Sequence, residues 1–210
     1  MTSVLIVDDH EIVRRGLRQI LQDEFPDLRV GEAADARQAV ELFHREAWDI
    51  VLLDINMPGR SGLELLEDFK RLRPAVPVVV LSAFPEAEFA LRSLKRGACA
   101  YVNKQSASDE LLAAIRKGLA GGRYVTSALA EKLAASLAGE APEAPHETLS
   151  ARELQVLRLI AVGKSVKEIA GELSLSEKTV GTYRTRISEK MGLSTNVELA
   201  RYALQHRLVD

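Results

Sequence analysis

The stretch Ile50-Val51-Leu52-Leu53-Asp54-Ile55-Asn56-Met57-Pro58-Gly59 constrains the fold more than any other part of this chain. Four apolar residues run without interruption into a carboxylate, and a Met-Pro-Gly turn follows. A short, uniformly apolar run bounded by turn residues suits a strand buried on both faces, as in a parallel sheet. Asp54 then stands at the strand's carboxyl end, the edge where open α/β sheets bind ligands.

A strand buried on both faces needs helices above and below it, and the flanking sequence supplies them. Ser3–Val7 reads as a strand, and a helix near Glu11–Gln22 turns Ile12, Val13, Leu17, Ile20 and Leu21 inward. Arg29–Ala33 is a weaker second strand, and Asp35 caps a helix carrying Ala39, Val40 and Phe43. Ile50–Leu53 is the third strand, and Leu63, Leu66, Phe69 and Leu72 stripe the helix behind it. Val76–Leu81 is the fourth, with Pro77 near its start, where a strand tolerates it. Phe89, Leu91 and Leu94 mark a helix that Gly97 stops, and Ala100–Val102 makes a short fifth strand. Ser108 caps a helix bearing Leu111, Leu112, Ile115 and Leu119, which Gly121-Gly122 closes. Five such units with short loops predict an α/β fold with a five-stranded, doubly wound parallel sheet.

After Gly122 the strand signal disappears. Thr126–Leu137 is Ala-rich and helical, Ala138–His146 is a polar linker with two prolines, and from Leu149 onward the chain reads as short helices. The 210 residues therefore divide into 1–122, an α/β domain, 123–148, a helix and flexible linker, and 149–210, a small all-α domain. The net charge of −2 hides an asymmetry: residues 149–210 hold ten Lys/Arg against seven Asp/Glu, and residues 1–148 hold eighteen against twenty-three. An acidic front and a mildly basic back suggest different partners. The lone Cys99 excludes a disulfide framework and a thiolate metal site, which suits a reducing cytosol. The start, Met1 to Asp9, lacks the basic region of a signal peptide, and no apolar run approaches membrane-spanning length. The expectation is a cytoplasmic protein.

Chemistry-bearing residues gather where the strand ends converge. Asp8 and Asp9 follow strand one, Asp54 ends strand three, Ser82 ends strand four and Lys104 ends strand five. Taken singly, each is more often a turn residue, a loop hydroxyl or a solvated lysine. All five at the same sheet edge are not explained that way. Three carboxylates together call for a cation, and hard oxygen ligands suit Mg²⁺. An Asp beside Mg²⁺, a Lys and a hydroxyl is equipped to accept a phosphoryl group, because the charge on the transferred oxygens is neutralised.

On these residues, positions 1–120 resemble the receiver domain of two-component response regulators. Val7-Asp8-Asp9-His10 resembles the family's acidic pair, Asp54-Ile55-Asn56-Met57-Pro58-Gly59 its phosphoacceptor motif, Leu81-Ser82-Ala83 its hydroxyl switch, and Tyr101-Val102-Asn103-Lys104 its aromatic switch and lysine. The resemblance implies that Asp54 accepts phosphate from a sensor histidine kinase. It implies Mg²⁺ held by Asp9 and Asp54, by Asp8 through water, and by the backbone carbonyl of Asn56. Ser82 and Lys104 would bind the new phosphoryl group, and Tyr101 would rotate inward as Ser82 moves. Asn56 and Phe84 occupy positions that, in the family this stretch resembles, tune the phosphate's lifetime. Two other readings compete. Haloacid-dehalogenase-type phosphatases share the Asp, Mg²⁺, hydroxyl and Lys but resemble Asp-x-Asp, and here the second acid is Asn56, which cannot transfer a proton. A Rossmann nucleotide site would place a glycine-rich turn after strand one, where Asp8-Asp9-His10 stands.

In the C-terminal part, Ser150 and Glu153 form a capping-box pattern ahead of Leu154, Leu157 and Ile160. Ser165 precedes a short helix, Val166–Leu173, and a Ser174-Leu175 turn leads to Ser176, the N-cap of Glu177–Met191. Two helices joined by a short turn, the second carrying Lys178, Thr182, Arg184, Thr185 and Arg186, suit insertion into a DNA major groove. The helix pattern alone leaves a protein-binding module equally open. Leu149–Leu204 resembles the LuxR-type helix-turn-helix domain through Leu149 to Leu157, Lys167-Glu168-Ile169-Ala170, Ser176-Glu177-Lys178-Thr179-Val180 and Glu189-Lys190-Met191-Gly192-Leu193. With the receiver, the whole chain resembles the NarL/FixJ group of response regulators.

That resemblance implies a DNA-binding transcriptional regulator. Val180, Tyr183 and Ile187 would face the domain core, and Lys178, Thr179, Gly181, Thr182, Arg184, Thr185 and Arg186 are the candidate DNA contacts. Gly181 and Tyr183 depart from the family's common side chains, and a mid-helix glycine offers no side-chain readout. The last helix, near Asn196–Gln205, packs Leu199 and Ala203 inward, and Val197, Arg201 and Leu204 would pair two copies once phosphorylated. The implied partners are a sensor histidine kinase, an operator in double-stranded DNA, RNA polymerase and a second copy of the chain. A receiver acting only through protein–protein contacts is the alternative.

Overall fold

The computed structural model describes residues 2–57, 61–83, 86–105, 108–127, 129–131, 134, 144–206 and 208–209. They form two compact units, residues 1–141 and 142–210.

The first unit is a parallel sheet with strands β1 (Thr2–Val7), β2 (Leu28–Ala33), β3 (Ile50–Asp54), β4 (Val78–Ser82) and β5 (Ala100–Asn103) in the order β2-β1-β3-β4-β5. All four ladders are parallel. Helices α1 (Glu11–Glu24), α2 (Ala36–Arg45), α3 (Gly62–Leu72), α4 (Glu86–Lys95) and α5 (Ser108–Leu119) alternate with the strands. Every residue of β3 and β4 is buried, which is why those segments are apolar without alternation. One face of the sheet packs Val4, Ile6, Leu52, Val79, Leu81 and Val102 against Leu17, Leu21, Leu111, Ala114 and Ile115. Against helix α3, Phe43 and Phe69 stack with centroids 4.2 Å apart.

Local signals place the helix ends. Asp35 accepts a hydrogen bond from Gln38 N, and Ser61 accepts one from Leu63 N. Gly97 has φ +96° at the close of α4, a conformation open to glycine. The weakness of β2 in the sequence comes from Gly31, and its cause is tertiary. A Cβ there would stand 2.2 Å from the Trp48 indole, which lies over that strand.

Four expectations need correction. Ile12 is 85% exposed, not inward. On a helical wheel it falls about 100° from Val13, away from the stripe of Leu17 and Leu21. Leu72, the last residue of α3, is 43% exposed, because the chain leaves the sheet there. The fourth strand begins at Val78 rather than Val76, since Pro77 has no amide to donate to a ladder. Ser108 is already the first residue of α5 rather than its cap. The Pro58-Gly59 turn and Phe84 lie outside the described residues, as does most of Ala138–His146. Within Thr126–Leu137, Ser127, residues 129–131 and Ala134 are helical.

The second unit opens with a 3₁₀ turn, Pro145–Thr148, which takes the last two residues of the expected linker. Helices α6 (Ala151–Ala161), α7 (Val166–Glu172), α8 (Glu177–Met191) and α9 (Asn196–Gln205) follow. Ser150 with Glu153, Ser165 with Glu168, and Thr195 with Glu198 each form a complete capping box. The α7–α8 turn is tight: Leu175 N donates to Ala170 O at 2.8 Å, and Ser174 adopts φ +54°. Leu154, Leu157, Ile169, Val180, Ile187, Leu199 and Ala203 fill the core. Glu153 is 2% exposed, and its Oε2 accepts from both Ser150 N and Lys190 Nζ at 2.7 Å.

Candidate functional site

The sheet register brings the strand ends level. Val7 pairs with Leu53, Asp54 with Leu81, and Ser82 with Asn103. The ladders continue one residue further: Asp8 N donates to Ala33 O (3.1 Å), Ile55 N to Leu81 O (3.2 Å) and Lys104 N to Ser82 O (2.8 Å). The chemistry-bearing residues are thus held by sheet hydrogen bonds rather than carried on loops.

Asp8, Asp54 and Ser82 are fully buried, and the Lys104 side chain is 17% exposed. Lys104 Nζ lies 2.5 Å from Asp8 Oδ2 and 2.9 Å from Asp54 Oδ2, bridging two strand ends. Asp54 Oδ1 accepts from Asn56 N at 2.9 Å, and Asn56 Nδ2 donates to Ser82 Oγ at 3.3 Å. All of Asp8, Asp9, Asp54, Asn56, Ser82 and Lys104 therefore meet at one edge. Tyr101, on β5, is 2% exposed, so its ring is already buried in this structure.

Burial pushes the Asp54 carboxyl above its ordinary value, and the neighbouring Asp8 charge adds to this against the opposing pull of Lys104. Burial alone would lower Lys104, but the neighbouring Asp54 and Asp8 carboxylates outweigh it and raise the ammonium's pKa. Three carboxyl groups face one ammonium, leaving an excess of negative charge. Asp9 Oδ1, Asp54 Oδ2 and Asn56 Oδ1 are buried yet accept no aligned hydrogen bond among the described residues. Ligand atoms of Asp8, Asp9, His10 and Asp54 lie within 4.8 Å of one another. Unmet acceptors, excess charge and mostly oxygen donors fit a hard divalent cation such as Mg²⁺.

Two residues of this pocket carry no assignment from the sequence. Arg14 Nη1 donates to Asp8 O at 2.7 Å while its Nε pairs with Glu32 at 3.3 Å, which ties α1 to the acidic turn. His10 Nδ1 lies 3.0 Å from Asp9 Oδ1. Adjacency to the acidic pair could have flagged His10; nothing local to Arg14 points across to Glu32.

In the second unit, Val180, Tyr183 and Ile187 are buried along one side of α8. Lys178, Thr182, Thr185 and Arg186 are exposed on the opposite side. Thr182 and Thr185 donate back to Lys178 O and Gly181 O at 3.1 and 3.2 Å, which leaves their oxygens free to accept. Gly181 borders this face, and a Cβ there would meet nothing within 4 Å. Packing within the unit does not require that glycine. Thr179 is half-buried with its hydroxyl 2.7 Å from the capping Ser176. Arg184 is partly buried and lies roughly 145° around the helix from the centre of the exposed face. The structure thus groups four of the seven DNA candidates, sets Gly181 at their margin, and sets Thr179 and Arg184 apart.

Comparison with known proteins covers both units. Residues 4–116 match the response regulator receiver domain, and residues 147–203 match the bacterial regulatory proteins of the luxR family. Response regulator UvrY of Escherichia coli K12 is 39% identical over 211 residues, covering 100% of this chain and 97% of its own. Response regulator GacA of Pseudomonas aeruginosa PAO1 is 38% identical, with coverage of 100% and 99%. RcsB of Salmonella enterica serovar Typhimurium, solved bound to the rprA promoter with the phosphomimetic BeF₃⁻, aligns with a TM-score of 0.58. Its identity is 29%, over 96% of this chain and 98% of that one.

Proposed function

Because this chain belongs to the NarL/FixJ response regulators, which join a receiver domain to a LuxR-type DNA-binding domain, we propose that phosphorylation of Asp54 switches its binding to operator DNA. Family membership makes it a transcription factor rather than a dedicated enzyme, and so rules out the phosphatase reading. In this reading residues 1–122 receive the signal, 123–148 connect, and 149–210 bind DNA in the cytoplasm. Among the described residues no helix is long and apolar enough to cross a membrane.

The observation that carries the reading is the Lys104 ammonium bridging Asp8 and Asp54, residues 96 and 50 positions away in sequence. Asp54 forms a P–O bond as the P–N bond to a kinase histidine breaks, and the proton balance is completed on the released imidazole. Lys104 then exchanges a carboxylate oxygen for a phosphoryl oxygen, and Ser82 turns its hydroxyl to another, leaving Asn56 Nδ2. Asp9 and Asp54, with Asp8 through water and the Asn56 carbonyl, would hold Mg²⁺, which supplies neutralising charge to the transferred oxygens. Motion of Ser82, next to β5 in the register, is transmitted to Tyr101 and the face around α4, β5 and α5.

On the output side, Val197 and Leu204 of α9 are 77% and 56% exposed, and Arg201 is exposed beside them. An exposed apolar pair seven residues apart, on one face of α9, suits a second copy of the same helix. Phosphorylation would promote this pairing on a two-half-site operator, where RNA polymerase is engaged. The test is labelling with a small phosphoryl donor and Mg²⁺, followed by sedimentation with and without BeF₃⁻. The expected result is a wild-type dimer on addition of BeF₃⁻ and no labelling of Asp54→Asn; full labelling of that variant would overturn the assignment.

A further inference from the structure

His10 has no task in the reading above. It is the N-cap residue of α1, a position where Ser, Thr, Asp or Asn would bond the first-turn amides, and its side chain makes no such bond. The ring turns instead to the acidic pair: Nδ1 is 3.0 Å from Asp9 Oδ1 and within hydrogen-bonding reach of Asp8 Oδ1 at 3.3 Å. Neighbouring donors on an octahedral ion with bonds of about 2.1 Å stand about 3 Å apart, so this spacing is that of adjacent ligands. An oxygen of fully buried Asp54 lies within 4.8 Å of a ligand atom on each of Asp8, Asp9 and His10. Its Oδ2 meets Lys104 only as an ion pair, without an aligned hydrogen bond, and Asp9 Oδ1 accepts none either. The imidazole remains 59% exposed at the mouth of the pocket, where a cation would enter.

We propose that His10 supplies a nitrogen ligand to the cation pocket, so that the site takes nitrogen-seeking divalent transition ions in addition to Mg²⁺. This rests on the cation reading of the same pocket given above. Mg²⁺ prefers oxygen and gains little from an imidazole, whereas Ni²⁺, Cu²⁺ and Zn²⁺ gain much, with Mn²⁺ between. His10 therefore sets which cation is held and leaves Asp54 as the phosphoryl acceptor. The competing arrangement is an ion pair in which protonated Nδ1 donates to the carboxylates; such a nitrogen has no lone pair for a metal.

The experiment uses the full-length chain as wild type, His10→Ala, His10→Asn and His146→Ala, titrated by calorimetry with Mg²⁺ and with Ni²⁺. Pulsed electron paramagnetic resonance with Mn²⁺ reads nitrogen coordination directly. His10→Ala should weaken Ni²⁺ about tenfold or more while Mg²⁺ changes less than about twofold; His146→Ala should change neither. Wild type should show a directly bound nitrogen on Mn²⁺ that both His10 variants lose. Because Asn can cap α1, the His10→Asn variant separates ligand loss from loss of folding. Equal Ni²⁺ affinity in wild type and His10→Ala, or a Mn²⁺ spectrum without nitrogen coupling, overturns the inference. If Mg²⁺ and Mn²⁺ fail to saturate the wild type, or bind Asp9→Asn and Asp54→Asn as tightly, the cation reading itself fails and the inference falls with it.

Discussion

The pocket at the strand ends and the exposed face of α8 are built on opposite terms. The pocket draws residues from positions 8 to 104, buries them, and bonds them to one another: Lys104 to Asp8 and Asp54, Asn56 to Asp54 and Ser82. The proposed DNA-facing set comes from nine consecutive positions, Lys178 to Arg186, and the hydroxyls of Thr182 and Thr185 bond back to their own helix. Buried charge is expensive unless it is paired, so the pocket has to be assembled by the fold itself. Exposed Lys and Arg cost little in water and gain only when a polyanion displaces their solvent and counterions. One site is assembled by the fold ahead of any ligand; the other would gain its partners only from DNA.

The sharpest challenge to that contrast is Gly62→Ala. A Cβ at the first residue of α3 would stand 2.4 Å from Asp54 O and 2.5 Å from Ile55 Cα, and backbone cannot yield as a side-chain tip can. Urea denaturation should report a loss of about 3 kcal/mol in the first unit, with slower phosphoryl labelling of Asp54. Normal stability with normal labelling would mean the pocket is less tied to the backbone than its geometry implies. Glu153→Ala probes a comparably buried charge in the second unit's core. It removes both the capping-box acceptor and the Lys190 partner, and should cost about 2–3 kcal/mol there. Glu153→Gln, which retains an acceptor, should cost less.

Lys178→Ala should leave stability alone, lower the salt slope of DNA binding by about 1, and weaken many sequences alike. Fluorescence anisotropy across a salt series measures this, and an unchanged slope would move Lys178 off the phosphate backbone. Asp54→Asn gives the subtlest effect. Burial raises the Asp54 pKa above its ordinary 3.8, so the fold favours the protonated acid. That contribution is fully present below 3.8 and is lost as pH rises through the raised folded value. The stability gained by Asp54→Asn should therefore grow over that window and level off above the raised folded value, in buffer free of divalent ions. A difference that shrinks with rising pH would show that Lys104 outweighs burial.

Much of this molecule can be read from sequence because its signals are local. Apolar runs of four to six residues mark strands, and Ser or Asp before an amphipathic segment marks a helix start, as at Asp35, Ser150, Ser165 and Ser176. The parallel topology then brings Asp8, Asp54, Ser82 and Lys104 together without further information. Two placements turn on direction around a helix. Ile12 was assigned inward because it is apolar, yet its wheel position faces water. Arg184 is a DNA candidate because it is basic, and the structure sets it on the flank of α8, apart from the exposed group. Residue type alone suggested both, without regard to direction around the helix. The Glu153–Lys190 pair, 37 positions apart, and the Trp48 indole over Gly31 leave no local trace at all.

By itself the sequence determined the two-part organisation, the five-stranded parallel sheet and the set of residues at its carboxyl edge. Hydrophobic periodicity and turn chemistry act over a few residues, and a parallel sheet admits few ways to order five strands. Tertiary structure alone decided how the members of that set connect. Lys104 bridges Asp8 to Asp54, Asn56 holds Ser82, Tyr101 is buried, and His10 turns toward the acidic pair. Those outcomes depend on distances and orientations across separate strands, fixed only once the core is packed and each buried charge has found its partner.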